Sequence, residues 1–172
     1  MPTVSELDGW RFCPRCGAGV AVEDGRAECP ECGLRHYASS KPTASALCVD
    51  DDGRVLLSRR AIEPFKGLWD FPGGFLDEGE HPLDCVRREL REEAGVEIEP
   101  LVLLGIWVDR YGSDGSGAAT LNLYYTARIV AGEPQPADDV AELRWFAPGQ
   151  APGDELAFGH LDEVLRAWQE HA

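Results

Sequence analysis

Three glutamates in one short stretch, Glu89, Glu92 and Glu93, stand at i, i+3 and i+4. In a helix that spacing projects all three from one face. Like charges so close destabilise a bare helix, and near its C-terminal end the macrodipole disfavours anions further. The arrangement asks for a cation. Carboxylates without thiolate or imidazole suit a hard divalent ion such as Mg2+ or Mn2+. The alternative is a solvated acidic face, common on the helices of acidic proteins. A Phe71-Pro72-Gly73-Gly74 turn lies just upstream; it allows close backbone approach and offers a carbonyl to a metal.

A second set of residues suits a softer ion. Cys13-Pro-Arg-Cys16-Gly17 and Cys29-Pro-Glu-Cys32-Gly33 are two copies of one pattern, with twelve residues between them. Four thiolates satisfy a tetrahedral Zn2+, and the glycine after each pair permits a tight turn. The segment between them reads as a short hairpin turning at Asp24-Gly25. So small a unit cannot fold on buried apolar surface alone, and the metal supplies the missing stability. The alternatives are a disulfide pair and a redox Cys-x-x-Cys. Residues 1–40 resemble a zinc ribbon. Because four thiolates leave no open coordination position, the zinc is expected to be structural. Four arginines against six acids give these residues a balance of −2, which argues against a nucleic-acid-binding ribbon. Cys48 and Cys85 sit in apolar patterns and read as core thiols.

The elements that must position the glutamates follow from periodicity. Pro82 suits a helix first turn and Gly95 the position just past its end, and Leu83, Val86 and Leu90 form one apolar stripe. Ala44–Val49 and Val55–Leu57 flank a turn-rich Asp50–Gly53 and read as a hairpin. Strand-like runs follow at Ile98–Val108, Leu121–Val130 and Glu142–Phe146, with a mobile loop expected at Gly112–Gly117 and a terminal helix over Leu161–Glu170. The fold class is therefore α+β, a mixed sheet sandwiched between helices, with residues 1–40 as a separate ribbon and 41–172 as the larger domain.

Composition bounds the rest. The 172 residues carry 16 basic and 31 acidic side chains, a formal charge of −15. Such a chain repels nucleic acid and anionic membranes, and to handle phosphates it needs a bridging cation. No run of 18 apolar residues predicts a membrane span, and residues 1–12 lack a basic start and an apolar segment, so no secretory signal is expected. The expected location is the cytoplasm, where cysteine pairs read as metal sites before disulfides.

The segment Gly74–Val96 resembles the signature of the Nudix hydrolases at nine specified positions: Gly74, Glu80, Arg88-Glu89-Leu90, Glu92-Glu93 and Gly95-Val96. The resemblance extends over residues 42–172, through the Phe-Pro-Gly-Gly lead-in and the Arg144-Trp145-Phe146 strand. The ribbon in front is similar to that of NADH pyrophosphatases in the same superfamily. The resemblance implies a Nudix-type α/β/α sandwich and a hydrolase that cleaves a diphosphate linkage with Mg2+ or Mn2+. Glu89, Glu92 and Glu93 would be metal ligands, with the Gly73 carbonyl as a further one. Arg88 would orient a glutamate, and Glu80 would brace the loop and helix. A later acid often joins; Glu142 is the first candidate, with Asp138 and Asp139 behind it. Among candidate substrate contacts, Arg59, Arg60 and Lys66 would touch phosphates, and Trp69, Trp107 and Tyr111 would stack on a base.

The substrate is narrowed by a departure. NADH pyrophosphatases carry a Ser-Gln-Pro-Trp-type motif downstream of the box, and here that region reads Gly105-Ile106-Trp107-Val108-Asp109-Arg110-Tyr111. ADP-ribose or a related dinucleotide such as NADH is the favoured substrate class, with an oxidised nucleoside triphosphate as the alternative. A non-catalytic nucleotide sensor is the rival of another class, disfavoured because the box is complete. The expected partner is a nucleotide-type small molecule, without nucleic acid or membrane. A homodimer is compatible with the resemblance, since dimers are common among such proteins.

Overall fold

A computed structural model describes residues 5–112 and 117–171. The expected loop at Gly112–Gly117 lies outside the described residues over 113–116. The chain divides into two compact units, Met1–Lys41 with Arg110–Ala119, and Pro42–Asp109 with Thr120–Ala172.

The first unit holds three short antiparallel strands in the order β1 (Ala21–Glu23), β2 (Arg26–Glu28) and β3 (Arg35–Tyr37). Asp24 (φ 49°) and Gly25 (φ 72°) form the expected turn, both left-handed as a two-residue hairpin requires. Two matching knuckles flank the β1–β2 hairpin. The Gly17 N–H donates to the Cys13 carbonyl at 2.9 Å, and the Gly33 N–H to the Cys29 carbonyl at 3.0 Å, each glycine again left-handed. Few side chains are buried here: Leu7, Ala27, Cys13 and Cys29. The unit is organised by turns and sulfur rather than by an apolar core.

The second unit begins with β4 (Lys41–Cys48) and β5 (Val55–Arg60), followed by β6 (Trp69–Asp70), β7 (Gly73–Phe75) and α1 (Pro82–Ala94). The long strands β8 (Glu97–Tyr111) and β9 (Ala118–Ala131), then β10 (Val140–Phe146) and α2 (Leu161–His171), complete it. One sheet runs β7-β4-β9-β8 and the other β10-β5-β6. The expected β4–β5 hairpin is corrected here. The Asp50–Gly53 turn forms, and Val49 bridges Val55, but the two strands then part into different sheets.

Alternation along β4 explains the layers. Ala44, Ala46 and Cys48 pack with Val86, Leu90 and Ala94 of α1, whereas Leu47 packs with Leu161, Val164 and Trp168 of α2. β5 divides the same way, Leu56 toward α1 and Val55 and Leu57 toward α2. Strands buried on both faces between two helices make the α/β/α sandwich. The α2 side also encloses a polar chain that the sequence did not suggest. His160, directly before α2, bonds the Asp109 carboxylate at 2.6 Å and the Tyr124 hydroxyl at 2.7 Å. No helix among the described residues is long and apolar enough to cross a membrane.

Candidate active site

The ends of α1 are set by local chemistry. The His81 side chain accepts the Leu83 N–H at 3.2 Å, and Pro82 occupies the first turn. At the other end Gly95 turns left-handed (φ 67°), and its N–H donates to the Arg91 carbonyl at 3.1 Å. The stripe of Val86 and Leu90 is buried, which fixes the helix's rotation and presents Glu89 and Glu93 toward the preceding Gly73-Gly74 turn.

That turn has no room for side chains. A Cβ on Gly73 would lie 2.4 Å from the Ala44 carbonyl oxygen, and one on Gly74 would lie 2.5 Å from Glu89 Oε1. The Glu89 carboxylate thus rests on the Gly74 backbone. Glu93, 7% exposed, accepts the Gly73 N–H at 2.9 Å. Arg88 gathers the remaining acids. It forms a two-point pair with Glu80 at 2.9 and 2.8 Å, and reaches Glu89 at 2.7 Å, Glu92 at 3.3 Å and the Phe75 carbonyl at 3.1 Å. Glu80 also accepts the Asp77 N–H at 3.0 Å, closing the loop before the helix.

The electrostatics divide these acids. The Arg88 guanidinium holds Glu80 down at about 2. Burial pushes Glu89 up against Arg88's attraction, with Glu92 and Asp139 adding repulsion. Burial pushes Glu93 well up, and Asp139 and Glu89 push it further. Burying a carboxylate costs free energy unless a cation or hydrogen bonds compensate. For Glu93 a single backbone N–H works against that cost. The donor set and its unbalanced charge fit a hard divalent ion.

The candidate later acids are placed differently from one another. Glu142 pairs with Arg144 and with Arg59, the latter at 3.6 Å. Asp139 is the later acid whose charge acts on Glu89 and Glu93. The loop before β10 explains this. The Gln135 N–H donates to the Ala94 carbonyl and the Ala137 N–H to the Glu93 carbonyl, each at 2.9 Å, so the loop satisfies carbonyls at the open end of α1. Asp138 then turns left-handed (φ 50°), and Asp139 follows. An acidic pair directly before a strand was the only signal in the sequence.

Two of the three candidate aromatics pack into the core. Trp69 is 2% exposed, edge-on to Phe146 at 5.0 Å, with the Arg144 guanidinium over its ring at 5.1 Å. The short β6 places it inside the α2-side core. Trp107 likewise packs there, edge-on to Tyr124 at 5.6 Å. Tyr111 ends β8 and groups with the N-terminal unit. Arg59, Arg60 and Lys66 share a cleft with Glu142.

In the N-terminal unit the four cysteine sulfurs lie within 4.8 Å of one another. Desolvation opposes ionisation of Cys13, but backbone N–H groups of Cys16 and Arg15 outweigh it and hold the thiol down at about 6. The cluster has the composition and compactness of a tetrahedral thiolate site.

A sequence model of the NUDIX domain matches residues 39–168. The chain belongs to the NUDIX domain family. Within it, the chain is 31% identical over 145 residues to an NAD-capped RNA hydrolase NudC from Pseudomonas aeruginosa, covering 83% of this chain and 49% of that one. It is 33% identical over 114 residues to an ADP-ribose pyrophosphatase from Methanocaldococcus jannaschii, covering 65% and 64% of the two chains. The chain thus spans about half the length of the first of these relatives. A solved NUDIX hydrolase from Nitrosomonas europaea superposes with a TM-score of 0.79 at 26% identity, covering 94% of this chain and 92% of that one. Nudix enzymes need a divalent metal, and the carboxylate cluster around α1 has the donors to hold one.

Proposed function

We propose that the chain is a metal-dependent hydrolase that splits the diphosphate linkage of a nucleoside diphosphate joined to a second moiety, ADP-ribose or a related dinucleotide such as NADH. The observation that carries this reading is the buried Glu93, compensated by a single backbone N–H, beside the half-buried Glu89, with Asp139 acting on both. Glu89, Glu92 and Glu93 with the Gly73 carbonyl are the proposed ligands, and Asp139 takes the place first given to Glu142. A divalent cation held there supplies charge neutralisation of the diphosphate and acidification of a bound water. Arg88 orients Glu89 and Glu92, and Glu80 fixes Arg88. Glu89 or Glu92 accepts the proton of the attacking water as the new oxygen–phosphorus bond forms and the bridging one breaks. Mg2+ and Mn2+ are the ions that suit an all-oxygen site.

The relatives named as an ADP-ribose pyrophosphatase and as NAD-capped RNA hydrolases support a linkage of the ADP-ribose and NAD type. The acidic balance of the chain favours a small molecule over RNA. Residues 1–40 are proposed as a structural Zn2+ ribbon in front of a hydrolase domain at 41–172.

The test is a hydrolysis panel of ADP-ribose, NADH, an NAD-capped oligonucleotide and an oxidised nucleoside triphosphate, with Mg2+ or Mn2+ and with chelator. Metal-dependent release of AMP from ADP-ribose or NADH is expected. Turnover of the triphosphate alone would move the assignment to a nucleotide sanitiser. Tight nucleotide binding with no turnover would favour a sensor.

A further inference from the structure

The β10–β5 ladder carries a cationic cleft beside the carboxylates. Its volume is about 420 Å3, and Arg59, Arg60, Lys66 and Glu142 supply its charged lining. Ala61, also in the lining, donates its N–H to the Asp139 carbonyl at 2.7 Å, so the cleft adjoins the residue that acts on Glu89 and Glu93. In a chain of formal charge −15, three cations against one acid is a local reversal.

The three cations are not equally committed. Arg60 bonds the Pro64 carbonyl at 2.8 Å and Asp70 at 3.3 Å. The Arg59 Nε is fixed by the Gly67 carbonyl at 2.7 Å, while its terminal nitrogen reaches Glu142 only at 3.6 Å and the side chain stays 42% exposed. Lys66 has no hydrogen-bond or ion-pair partner among the described residues. Glu142 is already neutralised by Arg144. An anchored, half-exposed guanidinium beside a free ammonium is suited to an anion with several acceptor oxygens.

Position decides which anion. Asp139 directly precedes β10 and Glu142 is the third residue of that strand, so the two lie within about 10 Å of each other. The two phosphorus atoms of a diphosphate are separated by a single bridging oxygen. With the diphosphate engaged at the carboxylates, the group of the substrate left to reach the adjoining cleft is a phosphate on the attached ribose. Resting on the diphosphate-hydrolase reading, we propose that the cleft binds a phosphate ester on the substrate's ribose, so that nucleoside diphosphate compounds carrying a 2′- or 3′-phosphate are preferred.

The test compares kcat/KM for NADPH against NADH, which differ by a 2′-phosphate, and for coenzyme A against its dephospho form, which differ by a 3′-phosphate. At least one phosphorylated member should be preferred about tenfold in the wild type, the scale of one charge-assisted contact at a partly exposed site. In Lys66→Glu that preference should fall to about one, and circular dichroism should confirm the fold, since Lys66 is exposed. Which pair responds identifies the position of the phosphate. Equal ratios in wild type and variant for both pairs would overturn the cleft while leaving the hydrolase reading standing. If none of the four compounds and no ADP-ribose is turned over, the hydrolase reading has failed, and whenever the four are not turned over, calorimetry without added cation still decides the cleft. Adenosine 2′,5′- or 3′,5′-bisphosphate should then bind more tightly than AMP in the wild type but not in Lys66→Glu, and equal binding would overturn the proposal.

Discussion

The cysteines and the carboxylates gather by opposite routes. In the N-terminal unit each cysteine pair is set by one tight turn, with a glycine N–H bonded back to the first cysteine's carbonyl. Almost nothing apolar is buried around them. In the second unit α1 supplies three acids, but Gly73, Glu80 and Asp139 come from separate segments that are held by two apolar clusters. A site built from local turns depends on its ion for stability; a site built from packed segments has stability to spend on crowded charge.

The largest expected effect would break this contrast at the cysteines. Cys13→Ser should release zinc, whose binding contributes on the order of 10 kcal/mol in small thiolate domains, and should melt the first unit. Metal analysis and proteolysis read the loss. If hydrolysis per folded molecule also vanished at once in a protein that stays folded, the zinc would be catalytic and the division of labour would be wrong.

Next is Glu93→Gln. Removing a ligand should lower turnover by on the order of 10²-fold or more and weaken Mn2+ binding, measurable by paramagnetic resonance. Thermal stability without metal should hold or rise, because a buried charge that disfavours folding is gone. Unchanged Mn2+ affinity would remove Glu93 from the site.

Gly74→Ala sharpens the comparison more finely. Its Cβ would meet Glu89 Oε1 at 2.5 Å, so the carboxylate must shift. A loss of roughly tenfold in kcat/KM is expected, less than deletion of a ligand. A matching Gly17→Ala strains only a left-handed turn, since a Cβ there meets nothing within 4 Å. It should cost the ribbon about 1 kcal/mol without touching turnover.

The smallest effect concerns pH. Arg88 lowers Glu80 from 4.5 to about 2 in the folded chain. A lowered carboxyl stabilises the fold above the unfolded value, and that contribution is lost as pH falls from 4.5 through about 2. The melting temperature of Glu80→Gln should therefore fall less than that of the wild type across this window. Parallel curves would show that the pair adds nothing to stability.

Much of the second unit was legible because its signals are local. Pro82 and Gly95 bound α1, the stripe of Val86 and Leu90 sets its buried face, and residue spacing alone puts Glu89, Glu92 and Glu93 on one side. Trp69 and Glu142 were not legible. A tryptophan beside Asp70 and a glutamate at the start of a strand look the same in sequence whether they face a ligand or a neighbouring element. Packing of β6 under α2 buries the first, and a pairing with Arg144 and Arg59 engages the second.

The sequence by itself determined the two metal-suited ligand sets, the helix carrying one of them and the turns carrying the other. These depend on spacing along a regular backbone and on φ preferences, both properties of neighbouring residues. Only the tertiary structure decided that β4 and β5 enter different sheets, that Asp139 acts on Glu89 and Glu93 while Glu142 pairs with Arg144 and Arg59, and that Arg59, Arg60 and Lys66 share one cleft. Each of these depends on which distant segment satisfies an open backbone group or fills a buried face. The Ala137 N–H on the Glu93 carbonyl is one such contact, across more than forty residues of chain.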